Sequence, residues 1–166
     1  PLQTISLSIA GILISFWIIN ISTGKIFLGD GGSYFIGIII AWNLLFLENS
    51  NNYISPWALF LIIIYPASDF IVSFTRRAIR LKLPTIADNK HLHSILFLYI
   101  QKRVNNRSHL SINIIVSSSI LIIFSVLPSF LAISFKYEYI YLIILNFLFF
   151  VVYVLMFSFL ELNNKK

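Results

Sequence analysis

The sequence contains no cysteine and few charged side chains. The absence of cysteine excludes a disulfide framework, a thiolate metal site and a thiol nucleophile. Charged residues make up 11% of the 166 residues, against about 25% in typical soluble domains, and hydrophobic residues make up 58%. Twelve basic residues against six acidic ones give a net charge of +6. With a mean hydropathy of +0.89, these numbers indicate an integral membrane protein, so no nucleic-acid partner is expected.

Long apolar stretches are abundant. A helix needs about 20 apolar residues to cross ~30 Å of hydrocarbon. We therefore predict an all-α, polytopic membrane helix bundle with about five transmembrane helices, forming a single domain over residues 1–166. Pro66 and Pro128 are expected to kink the third and fourth of these helices. The predicted spans are residues 2–21, 34–47, 54–74, 110–135 and 139–160.

The basic residues predict sidedness. Eight of the twelve Lys and Arg lie between residues 76 and 107, so the positive-inside rule places that segment in the cytoplasm. Alternation along the chain then makes residues 22–33 and 75–109 cytoplasmic loops, and places residues 48–53 and 136–138 outside.

The first cytoplasmic loop is rich in glycine. Gly29, Gly31 and Gly32 flank Asp30, and glycine allows backbone N–H groups to approach an anion closely. Ser33 is predicted as the N-cap of a helix that starts at Tyr34. A carboxylate beside an anion site is consistent with a Mg²⁺ ion between Asp30 and a phosphate. A tight turn with a solvated Asp30 is the alternative.

The second cytoplasmic loop begins after an acid in the third span. Asp69 is a functional candidate because an ionisable group in a membrane segment is costly unless it is paired. The alternative is a structural pair with Arg76, two turns further along the same helix. Arg76 and Arg77 suit contact with anionic membrane lipids.

Further along this loop, Asp88 is predicted as the N-cap of a helix that reaches about Arg103. His91 and His93 are two residues apart and so do not share a helix face, which argues against a two-histidine metal clamp. They suit a loop-to-helix junction where each ring meets a different part of an anionic substrate, and an incidental pair is the alternative. The helix carries an apolar stripe typical of an interfacial helix, formed by Leu92, Ile95, Leu96 and Tyr99.

Three motifs together resemble the second half of the polyprenyl-phosphate N-acetylhexosamine-1-phosphate transferase family. Residues 25–33 read K-I-F-L-G-D-G-G-S and resemble the family's K-I-F-M-G-D-x-G-S loop. Residues 66–69, followed by residues 76–77, resemble its P-x-x-D … R-R stretch, and residues 88–93 resemble its D-R-x-H-I-H-H loop. Order and spacing agree over about residues 5–97.

The resemblance implies transfer of a sugar-1-phosphate from a UDP-sugar to undecaprenyl phosphate, with release of UMP, at the inner membrane of a bacterium. It implies that Asp30 binds Mg²⁺ (or Mn²⁺) or the pyrophosphate, and that His91 and His93 bind the nucleotide-sugar phosphates. A homodimer is an assembly that is consistent with this resemblance. The remaining substrate-binding candidates are Gly31, Gly32, Ser33, Asp69, Arg76, Arg77 and Asp88.

Two departures from the family pattern limit the resemblance. Ser94 stands where the family has a further histidine, and no Asp-Asp pair is present in the sequence. The missing Asp-Asp pair and the small number of predicted spans lead us to expect a C-terminal portion of such an enzyme. This portion alone would be incomplete for catalysis. The alternative function is a non-catalytic membrane subunit or transporter portion whose basic loop binds anionic lipid or a partner.

Overall fold

Helices account for all regular structure in the computed structural model, which describes residues 2–23, 28–50, 53–79, 91–104 and 110–164. This confirms the predicted all-α class, in which each helix satisfies its own backbone hydrogen bonds within lipid. The helices are α1 (Leu2–Thr23), α2 (Gly29–Ser50), α3 (Pro56–Ile62), α4 (Ile64–Ile79), α5 (Leu92–Val104), α6 (Leu110–Ser134) and α7 (Tyr139–Asn164).

Three described helices, α1, α2 and α7, are long and apolar enough to cross a membrane, and α3 with α4 makes a fourth span if the bent pair is counted as one. At 1.5 Å per residue, the 22 residues of α2 extend about 33 Å. The fourth predicted span corresponds to α6, which contains the apolar helical segment Ile122–Ser134. That span and the single domain over residues 1–166 stay predictions.

The third predicted span is broken between α3 and α4, whose axes differ by 74°. Pro66, in the first turn of α4, lacks an N–H, and its ring would clash with the carbonyl of Ile62, the last residue of α3. The predicted kink is therefore confirmed, and it lies at Ile63. Ser55 caps α3, because its hydroxyl accepts a hydrogen bond from the Trp57 N–H at 3.3 Å.

The start of α2 corrects one prediction. The helix begins at Gly29, which has a φ of +66° in the left-handed region that glycine favours. Ser33 is therefore not an N-cap; it lies inside the helix, and its hydroxyl donates to the Gly29 carbonyl at 2.9 Å. Asp30, one residue into the helix, complements the positive end of the helix dipole.

The described residues form two compact units, residues 1–52 and residues 53–166. Within the first unit, the Ser6 hydroxyl donates to Asn43 Oδ1 at 3.0 Å and joins α1 to α2. Within the second unit, α7 packs against α3, α4 and α5. Its buried face reads Leu142, Asn146, Tyr153, Phe157 and Leu160.

The start of α5 corrects a second prediction. His91 is not helical, and α5 begins at Leu92, so the helix does not start at Asp88, which lies outside the described residues. The predicted stripe is confirmed as the packed face of α5, and its contacts are with protein. Leu92, Ile95 and Leu96 are buried together with Tyr153, Phe157 and Leu160 of α7, and Tyr99 packs at the edge of this cluster.

Candidate functional site

A carboxylate and an imidazole meet in the second unit, where α4, α5 and α7 come together. Asp69 lies in α4 with its side chain 18% exposed, and His91 lies directly before α5 with its side chain 34% exposed. Nδ1 of His91 is 2.8 Å from Oδ2 of Asp69. The helix break at Ile63 and the junction before Leu92 are the local features that place these two groups.

The other carboxylate oxygen of Asp69 also accepts hydrogen bonds. Oδ1 accepts a hydrogen bond from the Leu92 N–H at 3.3 Å and one from the Tyr153 hydroxyl. The first of these bonds satisfies a backbone donor at the beginning of α5. Asp69, from another helix, thus supports the helix start that the sequence analysis assigned to Asp88.

This pairing fixes the tautomer of His91. An ionised carboxylate accepts hydrogen bonds and donates none, so the proton of a neutral His91 is on Nδ1. Nε2 is then left as a lone-pair acceptor. A partly exposed imidazole oriented in this way can accept a proton from a bound substrate or, when protonated, donate to a phosphate oxygen.

His93 lies beside His91. The two rings stack with centroids 5.5 Å apart and planes 3° from parallel. They can do so at a spacing of two residues because His91 precedes α5 and is not bound by helix geometry. Partial desolvation lowers the pKa of His93 below its ordinary 6.5, the neighbouring His91 lowers it further, and Asp69 opposes the shift.

Aromatic side chains enclose the inner side of Asp69. Tyr153 is 2% exposed, and its ring meets that of Tyr65 edge-on at 6.1 Å and stacks with that of Phe157 at 6.5 Å. These contacts restrict the ring of Tyr153, so its hydroxyl points at the carboxylate with little freedom to turn away.

An apolar groove of about 420 Å³ adjoins this cluster between α4 and α7. Arg76 connects the two, since its guanidinium lies 5.3 Å from the ring centroid of Phe157, and both residues line the groove. The other lining residues are Ile71, Val72, Thr75, Ile79, Phe150, Val154, Ser158 and Glu161.

Asp30, Gly31, Gly32 and Ser33 lie in the first unit, in the first turns of α2. A side chain at Gly32 would place its Cβ 2.8 Å from Cγ of Leu28, so any larger residue here would require the Leu28 side chain to shift. No group of three or more His, Asp or Glu suited to a metal ion occurs among the described residues. A single carboxylate such as Asp30 still fits Mg²⁺, which takes one or two carboxylates and completes its shell with water and phosphate oxygens.

The structure therefore brings together Asp69, His91 and His93 of the predicted site residues, with Arg76 near them. Arg77 shares the last turn of α4 with Arg76. Tyr153 and Tyr65 also belong to this cluster and are not among the predicted site residues. A clue to Tyr153 is its polar hydroxyl in a mostly apolar helix. Asn146 and Tyr153 are the two polar residues on the buried face of α7.

Fold and site define a helical membrane protein with a histidine–carboxylate pair. The family model "Glycosyl transferase family 4" matches residues 1–48. Over 96 residues the chain is 30% identical to an undecaprenyl-phosphate alpha-N-acetylglucosaminyl 1-phosphate transferase of Thermotoga maritima. This alignment covers 57% of the chain and 31% of that relative, so the chain spans about a third of its length.

No solved structure matches the chain significantly. The two sequence matches confirm the predicted family resemblance: the chain is similar to a glycosyl transferase family over residues 1–48 and to one undecaprenyl-phosphate sugar-phosphate transferase over 96 residues.

Proposed function

We propose that this chain contributes part of the active site of an enzyme that transfers a sugar-1-phosphate from a UDP-sugar to undecaprenyl phosphate. The observation that carries the proposal is the His91–Asp69 pair, which presents an oriented imidazole in a chain related to transferases of this class. An N-acetylhexosamine, such as GlcNAc, is the sugar we propose, for use in cell-envelope polysaccharide synthesis.

In the proposed reaction, an oxygen of the lipid phosphate attacks the phosphorus attached to the sugar. The new P–O bond forms as the bridging P–O bond to UMP breaks, and that electron pair leaves with UMP. Nε2 of His91 takes the proton of a monoprotonated lipid phosphate and returns it to the departing UMP. Phosphoryl transfer depends mainly on positioning and charge neutralisation. Arg76 and Arg77 are suited to neutralise charge, and His93 is suited to position a phosphate through a hydrogen bond.

Asp30 is the residue we propose as a magnesium ligand, together with phosphate oxygens of the substrate. A bound Mg²⁺ would neutralise charge on the transferring phosphates. Gly31 and Gly32 have no side chains of their own in the first turn of α2, where N-terminal backbone N–H groups can meet an anion, and the Leu28 side chain lies against Gly32.

The groove between α4 and α7 supports a lipid acceptor. Its lining is mostly apolar, which suits a polyprenyl chain, and its two charged residues are Glu161 and Arg76, of which Arg76 would pair with the lipid phosphate. An acceptor bound in this way would have its phosphate near His91.

The sidedness of the chain is part of the proposal. The basic segment over residues 76–107 would lie on the cytoplasmic side. The chain has no cysteine, so single cysteines at Gln101 and Tyr137 can be labelled with a membrane-impermeant maleimide. In intact cells we expect labelling at residue 137 and protection at residue 101; the reverse pattern would refute the proposed orientation.

The activity is tested on the full-length gene product in lipid vesicles, with UDP-GlcNAc and undecaprenyl phosphate. We expect Mg²⁺-dependent release of UMP with formation of a lipid-linked sugar, and loss of both in Asp30→Asn and in His91→Gln. Glu48→Gln, near the other end of α2, is the matched control and should retain activity. If the wild type is active and both His91→Gln and His93→Gln keep its full rate, the histidine loop has no catalytic role and the non-catalytic alternative is favoured for it.

A further inference from the structure

We infer that Tyr153 is a positioning residue, which orients His91 through the carboxylate of Asp69. The inference rests on the proposed function in that His91 is the group it positions for the reaction. The hydroxyl of Tyr153 donates to Oδ1 of Asp69, whose Oδ2 meets Nδ1 of His91. The three residues thus form one hydrogen-bonded chain from the interior of α7 to the partly exposed imidazole.

The geometry of Asp69 gives Tyr153 its effect. A carboxylate at the end of a flexible Cβ–Cγ bond can rotate, and rotation would turn Oδ2 away from His91. Oδ1 is held by the Tyr153 hydroxyl and by the Leu92 N–H. The Leu92 contact is 3.3 Å long, beyond the usual range for an N–H donor, and is therefore a weak hydrogen bond. Tyr153 is therefore the main restraint that keeps Oδ2 facing Nδ1.

Tyr153 is itself well fixed, as a positioning residue must be. It is 2% exposed and lies between Tyr65 and Phe157, within the cluster that joins α5 to α7. Its hydroxyl is the polar end of a buried side chain and is directed at Asp69. Phenylalanine would fill the same place in the core equally well. Packing therefore explains the ring of Tyr153 but not its hydroxyl.

Tyr153 also sets how strongly Asp69 attracts the imidazole proton. Each donor to a carboxylate reduces its basicity, so loss of the Tyr153 hydroxyl makes Asp69 a stronger partner for a protonated His91. The active, neutral form of His91 would then be lost at a higher pH. Among the described residues, the ionisable groups on the helices packed around the pair include Tyr65, Arg76 and Arg77 of α4, His93 of α5 and Glu161 of α7, and α6 has no ionisable residue in its sequence.

The test compares Tyr153→Phe with the wild type in the full-length gene product. We expect kcat to fall about tenfold with little change in KM for the nucleotide sugar, as for loss of one hydrogen bond to a charged group. We also expect the acid limb of the pH–kcat profile to move to higher pH. Tyr139→Phe, at the exposed start of the same helix, is the matched control and should leave both unchanged.

A second variant covers the case in which Tyr153→Phe does not fold. Replacing Tyr153 with 3-fluorotyrosine keeps the ring in place and makes the hydroxyl a stronger donor, so the acid limb should move to lower pH. A profile that superimposes on that of the wild type in either variant overturns the positioning role, because a purely structural residue would change the amount of folded enzyme and not the pH midpoint.

An NMR measurement that does not depend on catalytic turnover tests this inference separately from the proposed function. In ¹⁵N-histidine spectra, the Nδ1–H signal of His91 should be sharp in the wild type and broadened by solvent exchange in Tyr153→Phe. If the wild type releases no UMP, the proposed function fails while this signal still tests the link. An Nδ1–H signal that is identical in the two proteins refutes the inference.

Discussion

Asp69 and His91 are 22 residues apart in the sequence, and Oδ2 of the one lies 2.8 Å from Nδ1 of the other. The contact joins α4 to the residue that precedes α5. Two candidates that the sequence predicts separately, an acid in a membrane span and a histidine in a basic loop, therefore belong to one site. The orientation of the imidazole, rather than the presence of two histidines, is what gives the site its chemical capability.

Asp69→Asn is expected to reduce activity while the fold is kept. The Tyr153 hydroxyl and the Leu92 N–H would hold the amide oxygen, so the amide N–H₂ would face His91 and force its proton onto Nε2. We expect kcat to fall by about 10- to 100-fold, as for other groups that orient a histidine. The rate of UMP release checks this, with the exposed Glu138→Gln as control; an unchanged rate in Asp69→Asn would contradict the assigned role.

His93 is expected to make the folded state less stable in mild acid. Its pKa is lowered in the folded state, so between pH 6.5 and that lower value the unfolded chain binds more protons. Stability should therefore fall as the pH is reduced through 6.5. Melting temperatures at several pH values check this, and the dependence should be shallower in His93→Gln. Identical slopes in the two proteins would show that His93 is not the group responsible.

The local sequence pattern was sufficient to predict the helices and the packed stripe of α5, because a helix face repeats within a few residues. It misplaced the start of α2, because a positive φ at Gly29 can begin a helix four residues before Ser33. It could not show that Asp69 caps α5, since Leu92 is 23 residues away along the chain. Tyr153 is 84 residues from Asp69 and was missed for the same reason, as no local periodicity connects different helices.

The docking of α5 on α7 is expected to depend on Leu96. This residue is 4% exposed within the cluster that includes Tyr153, whereas Leu98 on the same helix is 49% exposed. Leu96→Ala should lower the free energy of unfolding by about 2–5 kcal/mol, as for other buried leucines, and increase hydrogen exchange in α5. Leu98→Ala is the matched control and should change little. Equal effects of the two substitutions would indicate that α5 is not held by this face.

The groove between α4 and α7 is expected to decide the affinity for the lipid acceptor. Val154 lines the groove, and its neighbour Leu155 lies outside it with 64% exposure. Val154→Trp would fill part of the groove's volume of about 420 Å³, while Leu155→Trp adds the same bulk on the outer face of the helix.

We expect Val154→Trp to raise KM for undecaprenyl phosphate about tenfold, equivalent to about 1.4 kcal/mol of binding, with KM for the nucleotide sugar unchanged. Leu155→Trp should leave both constants as in the wild type. Steady-state kinetics with each substrate varied in turn distinguishes the two, and melting temperatures report any loss of packing. A rise in both KM values would indicate general distortion, and no rise in either would exclude the groove as the acceptor site. Selective loss of lipid affinity would place the acceptor beside Arg76, on the same side of α4 as the Asp69–His91 pair.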